Sequence, residues 1–367
     1  CYNLPLLYDF LGSPYIDIKL DLHSFIPQAL NENISKKLID YYINEFISKP
    51  DFYYDKVESE LVFSAVDFTT VKKIKRLNKF GFKKKEINLI KKELSNLTNN
   101  VIQKIDYNIN MSNELKRKTD IISNKKIHEI NKIFHLIHLC KTEGTLPFAN
   151  LARMAFISIQ FLNSMIENKI INKEDYEKFL GSLENTTTNL NNFLLKNNFK
   201  KFINKFGHLR PNTYEISSKN YRENAQEYFD KKNLRMIIHK KFKFSKVQRK
   251  NISYNLKKNK INIKIDEFIE FIKKSIIYRE KSKFNFTYCL DKIFYEIKKI
   301  AKKNNIEEDD LSYIDIKTLE SLYNNFNREL VKTEILNKIK FNKKQFNLNL
   351  NIKLPNKIIN PVDIFMF

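Results

Sequence analysis

Most of this chain repeats its apolar residues at helical spacing, and two short stretches near the N-terminus do not. In residues 33–48, Ile34, Leu38, Tyr41, Tyr42 and Phe46 share one face, and Pro50 closes the helix. Ahead of it, Tyr15 to Leu22 alternates apolar and polar positions as a half-buried strand does. Glu60 to Phe68 is apolar and β-branched enough for a second strand, so a small N-terminal sheet is expected. Helical spacing then resumes over 84–105 and 112–139, joined around Tyr107-Asn108. The stripe from Phe148 through Leu151, Ala155, Ile159 and Leu162 predicts a central core helix, with Pro147 in its first turn. Residues 173–206 predict two helices broken near Gly181. Further helices are predicted over 266–283, 288–304 and 316–341, with the acidic run Glu307 to Asp310 favouring a helix start.

These patterns predict a mainly α (α+β) protein: a helical, bundle-like middle domain with a small N-terminal β element and a projecting helical arm. The expected divisions are an α+β region over 1–70, a basic arm over 71–126, a helical core over 127–341 and a linker over 342–367 leading to a further domain. The chain begins at Cys1 and ends in an apolar run, Pro361 to Phe367, so it is expected to be part of a longer protein.

Charge changes this picture less than its size implies. There are 66 Lys and Arg against 42 Asp and Glu, a net charge of +24. Lysine dominates and is spread out, alongside abundant Asn, Ile, Phe and Tyr, a bias that an A+T-rich genome produces by itself. A dedicated nucleic-acid surface more often clusters its cations and uses arginine forks. The runs over 72–92 and 240–264 are therefore read as solvated faces or a linker, with binding of RNA or an acidic protein partner as the alternative. No apolar run is long enough to span a bilayer. Three scattered cysteines, Cys1, Cys140 and Cys289, give no disulfide framework and point to a reducing cytoplasm.

The stretch with most chemical content is Lys205-Phe-Gly-His-Leu-Arg-Pro-Asn-Thr-Tyr-Glu-Ile216. Gly207 can stop a helix and Pro211 cannot continue one, so His208 and Arg210 sit between two breakers. Residue types alone leave two readings open. One is a helix C-cap; the other is a stiff loop presenting His208 and Arg210 to an anion. Arg153, beside the central stripe, reads by itself as a surface arginine. Arg279 and Lys283, one turn apart, can meet a phosphate or pair with carboxylates. His128, His135 and His138 fall on one helix without a converging carboxylate, so no metal site is expected there.

Taken together, several stretches resemble the phosphoenolpyruvate (PEP) synthase-like, PEP-utilising enzymes, in the segment between the ATP-grasp and phosphohistidine domains. They are Gly12-Ser-Pro-Tyr-Ile-Asp17, His23-Ser-Phe-Ile-Pro27, Asp55-Lys-Val-Glu58, Gly144-Thr-Leu-Pro-Phe-Ala149 and Leu151-Ala-Arg153, then Gly207-His-Leu-Arg-Pro211, Arg279-Glu280, Lys283-Phe284 and Asp310-Leu-Ser-Tyr313. The Gly-His-Leu-Arg block is also similar to the shorter Gly-His-Arg block of rifampin phosphotransferase-like relatives. Asn212 departs from the pattern where glycine is expected, and His23 where asparagine is expected.

The resemblance implies an enzyme in which ATP and magnesium phosphorylate a mobile histidine that then passes its phosphoryl group to a small acceptor. The ATP-grasp and phosphohistidine domains are expected outside this chain, so no catalytic residue is assigned to it, and it is not expected to turn over alone. Its expected role is to bind the acceptor or receive the swivelling domain through His208, Arg210, Tyr214, Glu215, Arg153, Arg279 and Lys283. Pyruvate, a sugar intermediate and an antibiotic-like molecule are all compatible acceptors. The sharpest expectation is geometric: His208, Arg210, Arg153 and Arg279 should line one pocket.

Overall fold

The computed structural model describes residues 4–184, 186–195, 199–228, 239–360 and 362–363. The fold is mainly helical, and the only sheet among the described residues is a two-stranded N-terminal hairpin. Strands β1 (Leu7–Phe10) and β2 (Ser13–Ile16) pair antiparallel, with Leu7 opposite Ile16. Leu11 and Gly12 both take positive φ, 55° and 85°, as a tight hairpin turn requires. The strand expected over 15–22 therefore ends early. Asp17 accepts a hydrogen bond from the Leu20 N–H at 2.9 Å and caps a short helix, α1 (Ile18–His23).

Helix α2 (Glu32–Ser48) follows, capped by Asn31, then the single turn α3 (Pro50–Tyr53) and a π-helical turn over Val57–Leu61. The apolar run expected to be a second strand pairs with no strand. Its backbone N–H groups bond instead to side chains of the surrounding helices. Phe63 donates to the Tyr42 hydroxyl at 3.0 Å, Val66 to Thr98 Oγ1 at 2.9 Å and Phe68 to Ser164 Oγ at 3.3 Å. Three backbone donors of this buried segment are thus tied to three helices rather than to a sheet.

Short helices α4 (Thr70–Ile74) and α5 (Arg76–Lys79) lead into α6 (Lys84–Gln103) and α7 (Ile105–Asn124). The arm expected over 71–126 does not project. Ile90, Leu94, Ile102, Ile105 and Ile109 of α6 and α7 are buried in the main core, and α7 packs against α9 and α15 defined below. The lysines of this stretch occupy the opposite, solvated faces, as amphipathic helices dictate.

Helix α8 (Glu129–Leu139) runs through a π-helical turn at Cys140–Thr145 into α9 (Leu146–Glu167). Gly144 lies in that turn; a Cβ there would stand 3.2 Å from the Phe286 ring and 3.4 Å from Leu115, so glycine permits the close approach. Beyond α9 come α10 (Lys173–Gly181), α11 (Thr186–Leu195), α12 (Phe199–Phe206), α13 (Tyr221–Tyr228) and α14 (Lys246–Lys258). The 240–264 stretch, expected as a linker or exposed helix, contains α14, which buries Ile252 and Leu256.

The organising element is α15 (Ile265–Lys303), a single helix of 39 residues where two were expected. No glycine or proline interrupts residues 265–303. The first half of α15 packs on α9 in one core, which holds Phe161, Phe268 and Ile272. Its second half packs on α8 in another, which holds Leu136, Cys289 and Ile293. The two helices of the first core touch closely enough for the buried hydroxyls of Ser158 and Ser275 to lie 2.6 Å apart.

A 3₁₀ turn over Glu308–Tyr313, α16 (Ile316–Ser321) and α17 (Arg328–Asn349) close the second core. The polar tail expected from Asn342 is helical as far as Asn349. It then returns to the N-terminal hairpin, where the Tyr15 hydroxyl donates to the Pro355 carbonyl. Cys1 and, in the expected link to a further domain, residues 361 and 364–367 lie outside the described residues.

Candidate functional site

Gly207 to Pro211 emerges from α12 and folds back on itself. The Tyr221 N–H bonds to the Leu209 carbonyl at 2.8 Å and the Arg222 N–H to the Gly207 carbonyl at 3.0 Å. This return turns Arg210 inward. Its guanidinium donates to Oδ1 of Asp291 on α15 and to the Ser218 carbonyl at 3.2 Å, and it stacks over the Phe294 ring at 4.8 Å. Asn220 donates to the same Asp291 oxygen at 2.9 Å, and Arg222 approaches the other oxygen at 3.7 Å. The buried arginine and carboxylate therefore satisfy one another, as buried charges must.

His208 is buried beside this network. Its Nε2 lies 3.1 Å from the Phe284 carbonyl, and the ring meets Phe284 and Tyr288 edge-on. Burial lowers its pKa to about 4, and the nearby Arg222, Lys116 and Arg210 charges act in the same direction. At neutral pH the ring is uncharged, with Nε2–H donating to the carbonyl. Gly207 does not reach the left-handed region here. It is required for another reason: a Cβ at this position would stand 2.3 Å from the Ile203 carbonyl oxygen.

Glu215 faces outward from the same loop and accepts from the Ser312 hydroxyl and from Ser217. The Ser312 bond, helped by those from Ser217, holds its carboxyl below the usual range. This contact joins the loop after α12 to the 3₁₀ turn over Glu308–Tyr313. Tyr214 is 65% exposed with its ring 6.3 Å from that of Phe286, and Lys283 is exposed on α15.

A second grouping forms around Arg153 on α9. Its guanidinium donates to Ser24 Oγ at 2.8 Å and lies over the Phe25 ring at 4.6 Å. Arg279 of α15 reaches the same neighbourhood and stacks on Phe156 at 5.4 Å. Glu58, on the π-helical turn, faces these cations. Burial raises its carboxyl above the ordinary range; Arg153 and Arg279 act against that shift and Asp21 reinforces it. The same balance, burial first and Arg153 opposing, raises Asp21.

Arg153, Ser24 and Glu58 line a cleft of about 520 Å³ between the loop after α1, α6 and α9. Its remaining polar lining includes Gln28, Glu93, Asn96, Asn100 and Lys104. A concave site with a few convergent polar groups, and a half-buried carboxyl whose pKa burial raises, has the make-up of a small-molecule site.

The expectation of one pocket is thus corrected. Arg153 lines the cleft and Arg279 stands behind Phe156 in its wall. His208 and Arg210 belong to a different, buried assembly around Asp291. The physical reason is that an arginine folded into a loop against a core helix requires an internal carboxylate, and Asp291 supplies it. Glu58, Ser24 and Asp21 were not picked out as site residues. Asp291 had no sequence signal beyond a polar residue among apolar ones, and Asn220, in a polar stretch, had none.

The three histidines of α8 do not converge. His128 meets Phe326 edge-on and His135 meets Tyr323, while His138 is exposed. No group of three or more His, Cys, Asp or Glu suited to a metal ion occurs among the described residues. Cys140 and Cys289 are free thiols, both buried. No described helix is long and apolar enough to cross a membrane. In the two basic stretches, Lys73 faces Asp67 and Arg249 faces Asp266.

No protein-family model, curated protein or solved structure matches the chain.

Proposed function

We propose that this chain is the acceptor-binding middle segment of a PEP synthase-like, ATP- and magnesium-dependent phosphotransferase that works through a phosphohistidine carried elsewhere in the protein. The observation that carries the reading is convergence. Ser24, Glu58 and Arg153 are far apart in sequence and fall in stretches that carry the resemblance, yet all three line one cleft, with Arg279 behind its Phe156 wall.

In this reading the acceptor sits in the cleft. Arg153, positioned by Ser24 and Phe25, stabilises the charge that builds on a transferring phosphoryl group. Glu58 is poised to take a proton from the acceptor. The Arg210–Asp291 assembly holds the loop and α15 in register. The test is to incubate the natural gene product with labelled ATP and magnesium. The expected outcome is an acid-labile phosphohistidine whose label moves to a small acceptor; absence of ATP-dependent histidine labelling would rule the reading out.

A further inference from the structure

The lining of the cleft carries information about its ligand. Glu58 and Glu93 contribute two negative charges, Lys104 and Arg153 two positive ones, so the formal charges cancel. Arg153 is already engaged by Ser24 and Phe25. A site for a small carboxylate or phosphate needs surplus cationic donors, and this one has no surplus. What it has in excess is carboxamides: Gln28, Asn96 and Asn100, each offering both donors and an acceptor. Asn96 donates to Glu93 at 3.1 Å, and Gln28 and Asn100, both exposed, line the same cleft. Leu97, Phe156 and Ile157 supply an apolar wall. The volume of about 520 Å³ lies within the range of sites for drug-sized molecules and far exceeds what a three-carbon keto acid occupies.

We propose that the cleft binds a neutral, polyhydroxylated molecule of mono- to disaccharide size, whose hydroxyls bond to Glu58, Gln28 and Asn100 and whose C–H face lies on Phe156 and Ile157. Hydroxyls match this lining because each is donor and acceptor at once, as carboxamides are, and a carboxylate accepts two of them. The inference deepens the acceptor reading and rests on it for its consequence. In the transfer, an O–P bond forms at a ligand hydroxyl as the N–P bond of the phosphohistidine breaks. The hydroxyl proton passes to Glu58, and the electron pair returns to the histidine nitrogen.

Saturation-transfer NMR on the whole chain tests this, with maltose, trehalose and myo-inositol as neutral probes and pyruvate as the anionic one. At least one neutral probe should bind and pyruvate should not. Glu58→Gln and Asn100→Ala should each weaken that binding about tenfold, or about 1.4 kcal/mol, with unchanged circular dichroism. Gln28→Ala, on an exposed loop, serves where either variant fails to fold. Binding of pyruvate alone, lost in Arg153→Ala, would overturn the polyol inference and leave the acceptor reading standing. Failure of every neutral probe, or binding indifferent to all three variants, would overturn it as well. A sugar that binds in the cleft yet is never phosphorylated by the natural gene product would uphold the inference and remove the acceptor reading.

Discussion

Arg210 and Asp291 are 81 residues apart and form a buried ion pair, each side chain only 4% exposed. Asp291 also receives Asn220 and faces Arg222, so the carboxylate is the centre of a fan of donors from one loop. Breaking such a pair from one side leaves a buried charge without a partner. Arg210→Ala and Asp291→Ala should each cost about 3–5 kcal/mol. Replacing both, as Arg210→Met with Asp291→Leu, should cost less than either single change. Urea denaturation of the three variants measures this, and additive losses would contradict a coupled pair.

His208 makes the same loop sensitive to acid. An unfolded histidine titrates near 6.5, whereas the folded ring titrates at about 4 because burial opposes its charge. Between those values the unfolded chain binds more protons, so stability falls as pH drops through that window and is fully present above it. The contribution is roughly 3 kcal/mol from the size of the shift. His208→Gln, whose amide can still donate to the Phe284 carbonyl, should flatten the dependence of the melting temperature on pH between about 6.5 and 4. An unchanged slope would mean the ring charges without cost.

Gly207 is held by space rather than by dihedral angle. Gly207→Ala places a methyl against the Ile203 carbonyl and should destabilise by about 1–3 kcal/mol. Gly12→Ala meets no neighbour but occupies a φ of +85°, and should cost about 1 kcal/mol through backbone strain alone. Thermal melts of the two variants separate the causes, since only Gly207→Ala should also disturb the near-ultraviolet signal of Tyr221 and Tyr228.

The helices with strong periodic stripes, α2, α6 and α9, are legible in the sequence because a buried face leaves its period on the chain. What the pattern could not convey is where backbone donors go. Glu60 to Phe68 has the composition of a strand, but the N–H groups of Phe63, Val66 and Phe68 find Tyr42, Thr98 and Ser164 from distant helices. The length of α15 was legible in principle, since nothing breaks residues 265–303, but the β-favouring run around Phe284 and Thr287 hides its continuity. For the site, the residue types were informative and their grouping was not. Arg153 reads as a surface arginine on a helix and Arg210 as a loop residue between two breakers; that one faces a cleft and the other an internal carboxylate is set by long-range packing.

The cleft itself should tolerate change better than the Arg210 network. Arg153 is exposed, so Arg153→Ala should cost at most about 1 kcal/mol of stability, through loss of its Ser24 bond and its contact with Phe25. Arg153→Lys should not restore function, because an ammonium cannot both reach Ser24 and stack. Parallel melting and ligand titration of the two variants check this.

The most direct test of the cleft as acceptor site is to follow labelled phosphate in the natural gene product carrying Arg153→Ala. The expected result is normal phosphorylation of the histidine with transfer to the acceptor reduced at least about tenfold, a loss of about 1.4 kcal/mol. Transfer at the unaltered rate would contradict the account.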